Sequence, residues 1–321
     1  VLCEALNGRS HEQRLSYFSR PESTVCRSAA ADFVYGGRMM PRISQSGVLQ
    51  IGAFLLLWNS GFIGAEFGLN YAGVLTLLWW RYAMLALLLL LMARLRGRLR
   101  WPGVRTAGLN SLVGFFAHGV WLGCVMVALD VGIPAGVVAL VVALQPMAVG
   151  ALSGRVTGEP TPPMKWAGLA VGFIGVVIVV LGQLHLNPDV SAALYLVPFG
   201  AVAAFTLASL LQRWIELYSP KDHLPLDVAL FYQALATALV VLTPAIVLEN
   251  LNADWTPEFW AIQAWLVIAV SLGAYALMWR LIEHMDATRV ASLFYLGPPI
   301  TMLMAWLTLG DTLQVADLLG L

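Results

Sequence analysis

Charged residues are scarce in this chain. Only 11% of its 321 residues are Asp, Glu, Lys or Arg, and the 18 basic residues balance the 18 acidic ones. Soluble domains carry about 25% charged residues on average, so this composition excludes a water-soluble protein of such length. The chain also has no basic or acidic block that could bind nucleic acid, and no nucleic-acid partner is expected.

The chain is equally poor in residues that carry metal or nucleotide chemistry. Its three cysteines, Cys3, Cys26 and Cys124, follow no metal-ligand or redox spacing. No His-x-x-x-His pair, Cys/His group or paired acids occur, and no Gly-x-x-x-x-Gly-Lys-Ser/Thr loop is present for a nucleotide. We therefore expect no metal, no cofactor and no catalytic residues, and we do not expect an enzyme.

Apolar residues make up 60% of the chain and recur in runs of about 20, the length that crosses a hydrocarbon core. This pattern predicts an all-α polytopic membrane protein. A tenth helix begins near Leu313, but nine residues cannot cross a bilayer about 30 Å thick, so we expect this helix to be truncated. The nine complete crossings are predicted at 47–68, 74–93, 106–129, 133–154, 163–182, 190–212, 227–248, 258–282 and 287–309.

The loops alternate in charge. Lys and Arg follow helices two, four, six and eight, whereas the loops after helices one, three, five and seven have neither. Because short basic loops stay in the cytoplasm, the alternation predicts nine crossings with a cytoplasmic N-terminus. Residues 1–45 are polar, and we predict that they form a disordered tail or a non-native extension.

One stretch occurs twice, at 135–168 and 287–320. Pro146 pairs with Pro298 and Gly158 with Gly310, each 152 positions apart and with no gap between them. The repeat unit holds five helices, an odd number, so the second copy is predicted to enter the membrane in the opposite orientation. This is the inverted-topology repeat of secondary transporters. The predicted halves are 46–183 and 190–321; a duplication kept only for packing is the alternative.

The residues of both halves resemble a known family. The runs LLLWNSGFIGAEFGL, ALQPMAVGALSGRVTGE and ATRVASLFYLGPPITMLMAWLTLGD are similar to those of the EamA family of the drug/metabolite transporter superfamily. The resemblance implies ten helices in two inverted five-helix halves, with both termini cytoplasmic. It also implies transport of amino acids, metabolites or drug-like compounds across the bacterial inner membrane.

Several polar and aromatic side chains fall near the predicted midplane, where an inverted-repeat transporter holds its substrate. Arg81 is the leading candidate because its guanidinium stays charged and needs a partner. We predict that it binds a substrate carboxylate and pairs with Glu66 when the site is empty; a structural Arg81–Glu66 pair is the alternative. The predicted substrate-binding residues are Trp58, Asn59, Arg81, His118, Trp121, Gln145, Tyr232, Gln233, Tyr275 and Tyr295.

Two further roles are predicted from residue type. Glu66 and His118 are the candidates for proton coupling, since His titrates near neutral pH and a carboxyl can also carry a proton. Pro146, Pro298 and Pro299 should kink helices four and nine and act as hinges. Helix packing is the alternative for each of these residues.

These features predict a secondary transporter of small organic solutes, an exporter that works by alternating access. Its expected partners are a small-molecule solute and membrane lipid, and a homodimer is left open. The rival functions are an intramembrane enzyme and a helical membrane protein that transports nothing.

Overall fold

The computed structural model describes residues 45–98, 101–158, 162–186, 190–222, 224–284, 290 and 292–311. The polar tail and the tenth helix predicted from the sequence therefore lie outside the described residues, apart from Gln45. The helical unit Gly47–Leu321 contains every membrane span described below.

Eight helical spans in the described part of the chain are long and apolar enough to cross a membrane, which confirms the all-α polytopic fold. The ninth predicted crossing is described only in part. The helices are α1 (Gln45–Leu69), α2 (Val74–Leu95), α3 (Val104–Gly114), α4 (Trp121–Asp130), α5 (Ala135–Val142), α6 (Gln145–Leu152), α7 (Gly154–Thr157), α8 (Pro163–Leu186), α9 (Val197–Tyr218), α10 (Leu226–Glu249), α11 (Pro257–Ala264), α12 (Tyr275–His284) and α13 (Gly297–Thr308).

Two spans are continuous helices with a π-helical segment in the middle. The first π segment, Phe115–Val120, joins α3 to α4, and the second, Trp265–Ala274, joins α11 to α12. A π turn fits an extra residue into a helix and occurs frequently at functional sites. Each π segment is followed immediately by an aromatic residue, Trp121 in one span and Tyr275 in the other.

The matched prolines begin helices and do not bend them from within. α5 ends at Val142, and α6 starts at Gln145, with Pro146 in its first turn. Pro298 likewise lies in the first turn of α13, which follows the 3₁₀ turn Phe294–Leu296. The N–H groups in the first turn of a helix have no hydrogen-bond partner within the helix, so proline, which has no N–H, loses no bond there. A helix that begins at the proline therefore leaves fewer unsatisfied backbone groups than the predicted kink.

Equivalent helices of the duplication begin at matching positions. α1 and α9 start 152 residues apart, and so do α2 and α10. Gly158 and Gly310, the matched glycines that end α7 and follow α13, both adopt a left-handed conformation with φ of 75° and 78°. Glycine is the residue that takes this conformation without strain, which explains why both copies retain it.

α2 and α10 pack against each other along their length and run antiparallel. At one end, Arg96 and Arg98 after α2 each place Nη1 3.3 Å from Oδ2 of Asp227, in the first turn of α10. At the other end, the carboxylate of Glu249, the last residue of α10, accepts backbone N–H groups at the start of α2. These two equivalent helices therefore cross the bundle in opposite directions.

Candidate functional site

Two chambers lie in the interior of the bundle. The first, which we call the arginine chamber, contains Arg81 and His118 and is formed by α1, α2, α10, the two π segments and the residues that follow them. The second, the wide chamber, encloses about 330 Å³ and contains Asn59, Gln145 and Ser209. It is formed by α1, α4, α5, α6, α9, α12 and α13.

Four aromatic side chains line both chambers and so form a partition between them: Trp58, Phe62, Trp121 and Tyr275. The ring centroids of Trp58 and Tyr275 are 5.5 Å apart, within the range of favourable aromatic contacts. Two of the four rings, Trp121 and Tyr275, belong to the residues that directly follow the π segments. The shape of the partition therefore depends on the geometry of those segments.

Arg81 is buried, with 7% of its surface exposed. Its Nε and Nη2 donate to the hydroxyl of Ser271 in the second π segment over 3.4 and 3.2 Å, and its guanidinium lies 6.0 Å from the ring centre of Tyr82. No Asp or Glu in the described part of the chain forms an ion pair with it. A buried cation with a neutral hydroxyl as its partner can bind an anionic ligand.

The predicted Arg81–Glu66 pair is wrong. Glu66 is half-buried on α1, and its Oε2 has no hydrogen-bond partner among the described residues. Arg81 instead points toward the opposite half of the molecule and contacts Ser271, 190 positions away. The alternative of a structural ion pair between these two residues fails for the same reason.

His118 lines the arginine chamber from the first π segment. Its Nε2 lies 3.1 Å from Oε1 of Gln233 on α10, and its ring centre is 5.2 Å from that of Tyr82. Gln233 does not itself line either chamber and reaches the site only through this bond. The contact of Gln233 with substrate stays a prediction, and its observed contact is with His118.

Asn59 and the matched prolines belong to the wide chamber. Asn59 donates to the Leu55 carbonyl over 2.7 Å and accepts the hydroxyl of Thr301 over 3.0 Å, so its amide links α1 to α13. Pro146 and Pro298 line the chamber beside Gln145, whereas Pro299 does not. The hinge role of these prolines stays a prediction.

Two predicted site residues lie away from both chambers. Tyr295 is 44% exposed in the turn before α13. Tyr232 packs beside Phe231 and faces Trp101, with ring centres 5.1 and 6.3 Å away. Neither tyrosine is among the residues that line the two chambers, and their contact with a solute stays a prediction.

The sequence reasoning also missed residues that the structure places in the site. Ser271, Phe62, Ser209 and the Asn59 partner Thr301 were not predicted. Ser271 had a usable signal, since it is a polar residue in the middle of the apolar run WLVIAVSLGAYALMW. Phe62 had none, because an aromatic residue in a membrane helix faces lipid as readily as a cavity.

Comparison with known proteins supports the resemblance seen in the sequence. Residues 45–181 match the EamA-like transporter family. The "Uncharacterized inner membrane transporter YedA" of Escherichia coli K12 is 25% identical over 84% of this chain and 85% of its own length. The "Probable amino-acid metabolite efflux pump" of Salmonella typhimurium is 24% identical over 83% of this chain and 88% of its own length.

Two further similarities cover both predicted halves. The "Uncharacterized transporter YvbV" of Bacillus subtilis is 25% identical over 84% of this chain and 86% of its own. A protein of known crystal structure superposes with a TM-score of 0.57 at 20% identity, covering 85% of this chain and 91% of that one, which supports the fold. Residues 45–181 therefore form a domain of the EamA-like transporter family.

Proposed function

We propose that the chain is a secondary transporter that moves small organic solutes across the bacterial inner membrane. The EamA-like domain and relatives with transporter names support this proposal. The observation that carries it is Arg81, a buried cation in a chamber, held by a neutral hydroxyl and free of ion pairs with the described acids. A carboxylate-bearing solute supplies the missing counter-charge.

We further propose that transport proceeds by alternating access between two inverted halves, 46–183 and 190–321. The antiparallel arrangement of α2 and α10, which are equivalent in the duplication, supports opposite orientations of the halves. The wide chamber and the arginine chamber supply a path on either side of the aromatic partition. With a cytoplasmic N-terminus, the wide chamber lies toward the cytoplasmic end of α1.

Export of amino acids or related metabolites is the proposed direction and substrate class. The Salmonella relative named as an amino-acid metabolite efflux pump supports both. Transport without chemical change sets this proposal apart from an intramembrane enzyme, which alters its substrate, and from a helical bundle, which moves nothing.

The test is flux in proteoliposomes. Liposomes that contain the purified chain are loaded with a panel of radiolabelled proteinogenic L-amino acids, and release is followed with and without an imposed pH gradient. We expect release of at least one amino acid in unaltered form, faster than from liposomes that contain Arg81→Met. Equal release from protein-containing and empty liposomes across the panel would contradict transport of this class.

A further inference from the structure

Two polar contacts join the predicted halves at equivalent positions of the duplication. Arg81 on α2 donates to Ser271 in the second π segment. Gln233 lies 152 positions after Arg81, on α10, and bonds to His118 in the first π segment. Ser271 itself lies one residue beyond the position equivalent to His118. Each half thus extends one polar side chain to the π segment of the other half.

The two contacts differ in charge. His118 and Gln233 lie 3.1 Å apart in a bond between an imidazole and an amide. The contact of Arg81 with Ser271 is longer, and it joins two guanidinium nitrogens to one oxygen atom. Nε and Nη2 form one edge of the guanidinium, and such an edge binds both oxygens of a carboxylate in parallel. Ser271 therefore occupies the binding edge of Arg81 with a weaker, neutral partner.

We propose that Ser271 is a positioning residue that holds this edge of Arg81 when the site is empty, and that a solute carboxylate displaces it and releases the second π segment. The proposal rests on the proposed transport function, because it requires a solute in the arginine chamber. A carboxylate offers two charged acceptor atoms where the hydroxyl offers one neutral atom, so the exchange favours the solute.

Release of the second π segment directly affects the aromatic partition. The second π segment is held at its start by Trp265, whose Nε1 donates to the Ser60 hydroxyl over 3.0 Å. It is held in its middle by Ser271, and it ends immediately before Tyr275, which lines both chambers. Loss of the middle contact frees the end of the segment, to which Tyr275 is directly joined. Solute binding on one side of the partition thereby opens the partition itself.

Because the two contacts differ in charge, solute binding releases only one of the two π segments. An anion in the arginine chamber competes for Arg81, but Gln233 carries no charge for which it could compete. The first π segment therefore keeps its contact with α10 while the second is released. One half moves and the other serves as its support.

The transport test compares Ser271→Ala with Ser271→Thr, which keeps the hydroxyl. The probe is the radiolabelled L-amino acid that the unaltered protein releases fastest. Ser271→Ala frees the guanidinium edge but removes the link to the π segment, so KM and the maximal rate should both fall about tenfold, the worth of a hydrogen bond to a charged group. Ser271→Thr should restore both values. Unchanged kinetics in Ser271→Ala, or equal losses in both variants, would overturn the proposal.

A second readout needs no transport. Hydrogen exchange of residues 265–274 is measured by mass spectrometry with propionate as the carboxylate probe and propionamide as its neutral counterpart. Propionate should speed exchange in this segment of the unaltered protein, propionamide should not, and Ser271→Ala should exchange fast without either. The control Thr308→Ala removes an exposed hydroxyl that bonds within α13 and should match the unaltered protein.

The two readouts separate the two proposals. If propionate releases the segment and no amino acid is transported, the positioning role of Ser271 stands and transport of amino acids fails. If amino acids are transported and neither propionate nor Ser271→Ala changes exchange in residues 265–274, transport stands and the role of Ser271 is wrong.

Discussion

The carboxylate of Glu249 accepts the backbone N–H of Thr76, 173 positions earlier in the chain, over 2.7 Å and thereby caps the first turn of α2. Its second oxygen accepts the N–H of Leu75 over 3.0 Å. The first turn of a helix has unsatisfied donors and a partial positive charge, and the local residue, Gly73, has no side chain to cap them. The last residue of α10 thus caps the N-terminus of α2, its equivalent helix in the duplication.

This cap predicts the effect of a methyl group at position 73. A Cβ on Gly73 would overlap the Glu249 carboxyl group, so Gly73→Ala should expel the carboxylate and leave its two donors unsatisfied. We expect a loss of about 1–3 kcal/mol in the free energy of unfolding, measured by thermal or denaturant unfolding in detergent.

The double variant isolates the cause. Once Glu249→Ala has removed the carboxylate, Gly73→Ala has nothing to displace and should cost little more, a coupling of about 1 kcal/mol or above. Fully additive losses would mean that the two positions act independently and that the cap contributes no stability.

Much of the fold was predictable because the bilayer fixes the length of a helix. The segment predicted at 74–93 is observed as Val74–Leu95, and the one at 106–129 as the span Val104–Asp130. The breaks at Pro146 and Pro298 were located correctly but were expected as kinks, because the sequence gives the position of a proline and not its place in a turn.

Replacement of Arg81 by lysine should separate charge from geometry. Lysine keeps the positive charge but lacks the planar fork that binds a carboxylate through two bonds. We expect the transport rate of L-amino acids to fall about tenfold or more in Arg81→Lys, since a charged hydrogen bond is lost.

The matched control for that variant is Arg213→Lys, at an exposed pair with Glu216 on α9, which should transport like the unaltered protein. Normal transport by Arg81→Lys would remove the carboxylate-binding role from Arg81.

The aromatic partition should limit the size of the solutes that the protein transports. Trp121 is its largest ring beside Trp58, and Trp121→Leu would widen the passage between the two chambers. We expect the ratio of L-tryptophan to L-alanine transport to rise in this variant. Trp166→Leu makes the same change at an exposed residue of α8 that lines neither chamber, and should leave the ratio unaltered. A lower total rate with an unchanged ratio would argue against a sizing role.

The site was less predictable than the fold, for a physical reason. Helix rise placed Arg81, Trp58 and His118 at one depth, and all three do line the arginine chamber. The direction of a side chain around its helix could not be inferred, because both the lipid face and the packed face of a membrane helix are apolar. The Arg81–Glu66 pair was mistaken for this reason, and Tyr295 lies outside both chamber linings.

Thr206 and Thr237 offer a stability test of buried hydroxyl groups. The Oγ1 of Thr206 is buried with no partner among the described residues, whereas that of Thr237 donates toward the carbonyls of Gly114 and Gln233 at 3.2 and 2.9 Å. Thr206→Val removes an unsatisfied group and should stabilise the protein by about 1 kcal/mol, whereas Thr237→Val should destabilise it by about as much. Unfolding curves of the two variants with the same sign would contradict the assignment.

Orientation is testable at two equivalent positions, Arg105 at the start of α3 and Pro257 at the start of α11, which lie 152 residues apart. Both are exposed, so a cysteine at either one is accessible to a thiol reagent. In a background without Cys3, Cys26 and Cys124, a membrane-impermeant maleimide is applied to intact cells and to permeabilised cells. We expect Pro257→Cys to react in intact cells and Arg105→Cys to react only after permeabilisation, because inverted halves place equivalent residues on opposite sides. Reaction of both on one side would contradict the inverted topology. The reverse pattern would keep the inversion and overturn the cytoplasmic N-terminus. The basic loop just before Arg105 would then face outward, against the preference of short basic loops for the cytoplasm.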